Sequence, residues 1–195
     1  MARTKKITRE EAALRARSAF WQHGYSHLTV RKLEEYTGIN RFMLQTDFGG
    51  KDGLFMAAFK QYEQMVRTTQ FNTIAAGTSA DVLAFFEQQP TGEFSDEHRY
   101  GCLAANTFCE GHLQNKDIEQ ALEAFFLLMN NAFYAALQRD RDAGKLKTDV
   151  NITHAAEYLV TMAIGLSNII RSRDSNLAGL GSVNMVCDSI RSWQL

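Results

Sequence analysis

The segment Thr29–Phe55, TVRKLEEYTGINRFMLQTDFGGKDGLF, constrains the fold more than any other part of the chain. Its spacing predicts two short helices joined by a tight glycine turn, with a third helix starting just beyond. Thr29 is placed to cap the first helix, its hydroxyl accepting from a first-turn amide that has no intrahelical partner. Val30, Leu33 and Tyr36 then recur at three-residue spacing and give that helix an apolar face. Thr37-Gly38-Ile39-Asn40 supplies the break: a left-handed glycine ends one helix and Asn40 caps the next. The following turns offer Arg41, Phe42, Met43, Gln45 and Thr46 outward, with Leu44 and Phe48 inward. Two helices crossing steeply over a short glycine-bearing turn make a helix-turn-helix, whose second helix fits the DNA major groove.

Residues 9–60 resemble the N-terminal domain of the tetracycline-repressor-type (TetR) transcriptional regulators. The resemblance is carried by Ala19-Phe20-Trp21-Gln22-His23-Gly24-Tyr25, Thr29-Val30, Thr37-Gly38-Ile39-Asn40-Arg41 and Phe48-Gly49-Gly50-Lys51-Asp52-Gly53-Leu54-Phe55, in order and without gaps. A weaker match, Gly101-Cys102-Leu103-Ala104-Ala105-Asn106-Thr107, is similar to part of the regulatory domain in one branch of that family. The resemblance implies an all-α fold: a three-helix DNA-binding head over residues 1–52, then a ligand-binding and dimerisation domain over 53–195. It implies a repressor of a prokaryote-type cell, released from a pseudo-palindromic operator when a small effector tilts the fourth helix. The lack of a secretory signal or membrane span, with three cysteines that make no disulfide framework, predicts the cytoplasm. Arg41, Met43 and Thr46 are the candidates for base edges, Arg41 suiting guanine. Phe42 either reaches the bases or packs. Thr29, Arg31, Gln45 and Lys51 are the phosphate candidates, Lys51 by carry-over from the family's lysine at the start of helix four. The chain departs from the family at Leu44-Gln45-Thr46-Asp47-Phe48, where an aromatic usually replaces Gln45 and tyrosine or histidine replaces Asp47. A carboxylate near a phosphate is repulsive. The departure leaves a second reading open, a binding dimer without specific DNA recognition.

Charge is divided along the chain. Residues 1–52 carry ten Lys/Arg against six Asp/Glu, a net of +4; the remainder carries eleven against sixteen, a net of −5. A basic head and an acidic body fit nucleic-acid binding by one end. The basic arm Arg3, Lys5, Lys6, Arg9 reads either as a solvated terminus or as a mobile contact to phosphates or the minor groove. No secretory signal is seen, and the longest apolar stretch, Tyr158 to Ile170, falls short of the roughly 20 residues of a membrane span. The chain lacks a phosphate-binding glycine loop, a Ser/His/Asp order and an HExxH helix, which argues against an enzyme, and no cofactor is expected.

Helices are predicted at Arg9–Gln22, from Lys51 to about Thr69, at Ala80–Gln88, and at about 101–114, 117–142, 151–172 and 182–193, with Asp117 and Asn151 as N-caps and a loop at 90–98. The broad apolar faces of the two longest helices read either as core or as the seam of a two-fold four-helix bundle, with Phe125, Met129, Phe133, Leu159, Met162, Leu166 and Ile169 at the seam. The seam is preferred because the resemblance supports it. The resemblance also implies an effector cavity, for which Phe85, Tyr100, Asn106, Cys109, His112, Phe126 and Asn130 are candidates; their mix of aromatic and sparse polar groups suits a small apolar or aromatic effector. His98, Cys102, Cys109 and His112 share one stripe if their helix is continuous. The cysteines read as inert, as a thiol sensor at Cys102 near a helix start, or, least of all, as metal ligands.

Overall fold

The computed structural model describes residues 7–89, 99–111, 115–172 and 179–195, and every multi-residue element among them is helical. The elements are α1 (Arg9–His23), α2 (Val30–Thr37), α3 (Arg41–Phe48), α4 (Lys51–Val66), α5 (Asn72–Ala76), α6 (Ser79–Gln88), α7 (Leu103–Cys109), α8 (Lys116–Asp142), α9 (Ile152–Ser172) and α10 (Leu180–Ser192). The starts of several helices follow from local chemistry. Thr8 and Thr78 each form a capping box, with Glu11 and Asp81 respectively, satisfying two orphan amides at once. Thr29 and Asn40 cap α2 and α3 as expected, accepting from the amides of Lys32 and Met43.

Head and body share one core. α1 packs along α4, α8 packs against both α5 and α9, and α10 lies on α6. An unbroken aromatic chain runs through the junction: Phe20 to Phe55 (ring centroids 5.1 Å apart), Phe55 to Phe59 (5.7 Å), Phe59 to Phe125 (5.9 Å) and Phe125 to Phe71 (5.5 Å). All five rings are buried. Replacing any one by alanine would cost about 3–5 kcal/mol by lost transfer energy and cavity formation.

Several elements depart from expectation. The fourth helix does not end near Thr69: a π-helical turn, Arg67–Phe71, carries it into α5 and on to Ala76. The helix expected at 101–114 is only α7, stopping at Glu110 and a left-handed Gly111. Asn115, not Asp117, caps α8, its Oδ1 accepting from the amides of Asp117 and Ile118. Tyr36 is not on the buried face of α2; it is half exposed and stacks on His23, while Leu33 and Thr37 face inward. Phe125, Met129, Phe133, Leu159 and Leu166, placed at a seam between two chains, are instead buried within this one, and Met162 and Ile169 are half-buried. The wide faces of α8 and α9 are consumed by each other and by α4, α5, α6 and α7. The loop at 90–98, with Pro90, lies outside the described residues.

A buried carboxylate ties the far end of the body. Asp140 is 4% exposed and accepts from the Ser79 amide at 2.9 Å and from the Ser79 hydroxyl. Gln194 Nε2 donates to the same hydroxyl oxygen at 2.7 Å, and Leu146 and Gln194 form an isolated antiparallel bridge.

Candidate functional site

The recognition surface is built from the inside outward. Leu44 and Phe48 sink one side of α3 into the head, and Gly38, at φ 73°, turns the chain between α2 and α3. Buried Thr37 donates its hydroxyl to Leu33 O at 2.5 Å, and Arg15 Nη1 donates to Thr37 O at 3.1 Å, fixing that turn to α1. Gly53 lets α4 start against α3: a Cβ there would lie 1.7 Å from Phe48 O. With α3 held on two sides, its remaining face is open. Arg41, Gln45, Thr46 and Asp47 are exposed, Met43 is half-buried, and Phe42 is 76% exposed, unusual for a phenylalanine.

The flanking candidates differ in freedom. Thr29 is exposed but occupied as a cap. Arg31 pairs with Glu35 at 3.3 Å on the solvent side of α2, a contact worth little in water. Lys51 is half-buried, its Nζ 4.3 Å from the Tyr25 ring centroid, and burial pulls its pKa below the usual lysine value. Asp52, next to it, accepts from the Tyr25 hydroxyl and from Asn115 Nδ2 at 2.8 Å. Those two hydrogen bonds hold its carboxyl below the ordinary range, while burial and Asp52 push the Tyr25 phenol up. Arg3, Lys5 and Lys6 lie outside the described residues.

A cavity of about 160 Å³ lies where head meets body. Its lining includes Trp21 of α1, Tyr62 of α4, Phe85 of α6, Cys102, and Phe125 of α8, and among the described residues no charged side chain borders it. Trp21 Nε1 donates to Gly101 O at 2.8 Å, and Tyr62 donates its hydroxyl to Cys102 Sγ at 3.3 Å.

Of the described residues expected to line a cavity, only Phe85 does so. Tyr100 and Asn106 are engaged with each other, Asn106 Nδ2 donating to Tyr100 O at 2.7 Å. Phe126 packs edge-on against Phe108, and Asn130 sits on α8 away from the lining. Cys109 is exposed, and His112, like His98, lies outside the described residues. Phe125 and Met129, expected at a dimer seam, border the cavity instead. Trp21 and Tyr62 were overlooked because the first lies within the motif of the head and the second on the connecting helix; nothing in their local sequence announces a cavity.

Cys102 does cap α7, as its position near a helix start suggested, but the consequence is reversed. Burial pushes its thiol up, outweighing the hydrogen bonds from Tyr62 and the amides of Ala105 and Ala104. Cys187 is buried and likewise raised. Among the described residues no group of His, Cys, Asp and Glu is arranged to hold a metal, and no helix is long and apolar enough to cross a membrane.

No protein-family profile matches the chain. Over 186 residues it is 28% identical to the HTH-type transcriptional repressor AcnR of Corynebacterium efficiens, covering 94% of this chain and 93% of that protein. It is 24% identical to the HTH-type transcriptional repressor ComR of Escherichia coli K12, covering 85% and 80%. Among solved structures, a cysteine-substituted TetR-family regulator, CifR, in complex with 26-base-pair operator DNA superposes with a TM-score of 0.84 at 24% identity, over 98% of this chain and all of that one. Reduced NemR of Escherichia coli superposes with a TM-score of 0.80 at 14% identity, over 96% of each. The likeness seen in residues 9–60 thus extends over nearly the whole chain: its relatives in sequence include HTH-type transcriptional repressors, and its fold is that of the TetR-family transcriptional regulators.

Proposed function

We propose that this chain is a DNA-binding transcriptional repressor that acts as a homodimer on a near-palindromic operator and is released by a small uncharged effector. The observation that carries the reading is α3. Its apolar side is locked by Leu44 and Phe48, and its other side presents Arg41, Phe42, Gln45 and Thr46 together on a head of net charge +4. Arg41 is suited to guanine O6 and N7, and Phe42 to a thymine methyl. Operator binding by CifR supports the same role for this head.

The effector reading rests on the cavity. About 160 Å³ is close to the roughly 150 Å³ known to hold a benzene ring. With no charged group among the described residues of its wall, it suits a neutral single-ring or short-chain molecule. The dimer reading rests on α9 and α10, which turn Tyr158, Leu180 and Met185 outward beside an exposed Gly165 that has open space above it. A second reading, a dimer without sequence-selective DNA binding, is favoured by Asp47, whose exposed carboxylate shares the α3 surface and accepts from Thr46 Oγ1 at 2.9 Å.

Selection from random duplex DNA with the purified protein decides between them. The expected result is an enriched near-palindrome whose binding is lost in Arg41→Ala. No enrichment by the ligand-free protein would favour the second reading.

A further inference from the structure

The head is joined to the body by more than α4. Glu110, at the end of α7, reaches across to the turn between α1 and α2, 84 to 85 residues earlier in the chain. Its Oε1 accepts from the Tyr25 amide at 2.8 Å, and its Oε2 accepts from the Ser26 amide at 2.5 Å. One carboxylate therefore takes two consecutive backbone donors, the charge-assisted arrangement that holds a turn most firmly. The turn is shaped to receive it. Gly24 sits at φ 83°, and a Cβ there would lie 2.4 Å from Glu110 Oε1. A side chain at that position is excluded by the backbone and by the carboxylate together.

The same turn holds the DNA-facing machinery. Tyr25 lies under Lys51 Nζ, and its hydroxyl donates to Asp52, which also accepts from Asn115 at the start of α8. At its other end, α7 begins beside Gly101, which is tied to Trp21 in the cavity wall. Phe108 and Cys109, the residues just before Glu110, are exposed, so burial of neighbouring side chains does not dictate a carboxylate here.

We propose that Glu110 is a positioning residue for DNA binding: its carboxylate clamps the Tyr25 and Ser26 amides and so fixes the attitude of the head on the body. This rests on the DNA-binding reading above, with one part independent of it, the clamp itself. Glu110→Gln separates the two. Glutamine keeps the shape and one acceptor oxygen but turns an N–H donor toward the second amide. Amide exchange at Tyr25 and Ser26 should rise by about tenfold, with α1 and α8 protected as before. Affinity for the selected duplex should fall about five- to tenfold, a coupling between sites of ordinary size, in protein still folded at the assay temperature. Gly24→Ala, pushing the carboxylate off from the other side, should reproduce the exchange change.

Unaltered exchange at Tyr25 and Ser26 in Glu110→Gln overturns the clamp. Faster exchange with unaltered duplex affinity overturns the positioning role. A wild-type protein that selects no duplex removes the DNA-binding reading and the positioning role with it, while the exchange result still reports on the clamp.

Discussion

Asp52 couples three elements through one carboxylate, accepting from Tyr25 on the α1–α2 turn and from Asn115 on the body while starting α4. Because those bonds depress its folded pKa, they stabilise the protein above the ordinary carboxyl value of about 4 and are lost as pH falls through the lower folded value. Melting temperature should therefore drop between about pH 5 and pH 3 in the wild type, and drop less in Asp52→Asn. The buried Asp140 tests a different consequence. Asp140→Ala strands the buried Ser79 amide and should cost about 1–3 kcal/mol in chemical denaturation. Residues of this kind were illegible beforehand. Thr29 and Asn40 were readable as caps because their partners lie three residues on, whereas Asp140 and Glu110 act across 61 and 84 to 85 positions. Only the folded chain brings those together.

At the scale of elements, most helices were legible from periodicity and stop residues, and the errors cluster at the body's corners. α7 is a two-turn piece, with Gly111 at φ 64° just past its end, and His98 and His112 lie outside the described residues. The α8 start shifted to Asn115, which both caps the helix and reaches Asp52. Asn115→Ala should lose both and cost about 1–2 kcal/mol by thermal melting. Asn115→Asp should recover the cap but set a second carboxylate beside Asp52, so its deficit should shrink as pH falls and Asp52 protonates. The apolar faces of α8 and α9 misled for a plain reason. Sequence records how apolar a face is, and three or four neighbours within one chain can use up as much of it as a second chain would.

For the molecule as a whole, the +4 of residues 1–52 lies outside α3, where Arg41 and Asp47 balance, and the outward apolar residues of α9 and α10 were not singled out. If those residues join two copies, Met185→Glu should weaken self-association by at least about tenfold, seen by sedimentation across a dilution series. The same change should lower affinity for a two-site duplex much more than for a single half-site, because the second head then no longer arrives with the first.

The π turn at Arg67–Phe71 has a consequence of its own. A wide turn holds one residue more than an ordinary one, and each residue rotates a helix by about 100°. The bulge absorbs that residue, so Tyr62 before it and Phe71 after it face the same ring, Phe125, with centroids 5.7 and 5.5 Å away. Removing one residue between 67 and 70 should restore a regular spiral with Phe71 and Ile74 still turned inward, whereas removing a second would turn them by about 100° toward water. The chain can thus lose one residue in this place and keep its two halves in phase, but not two.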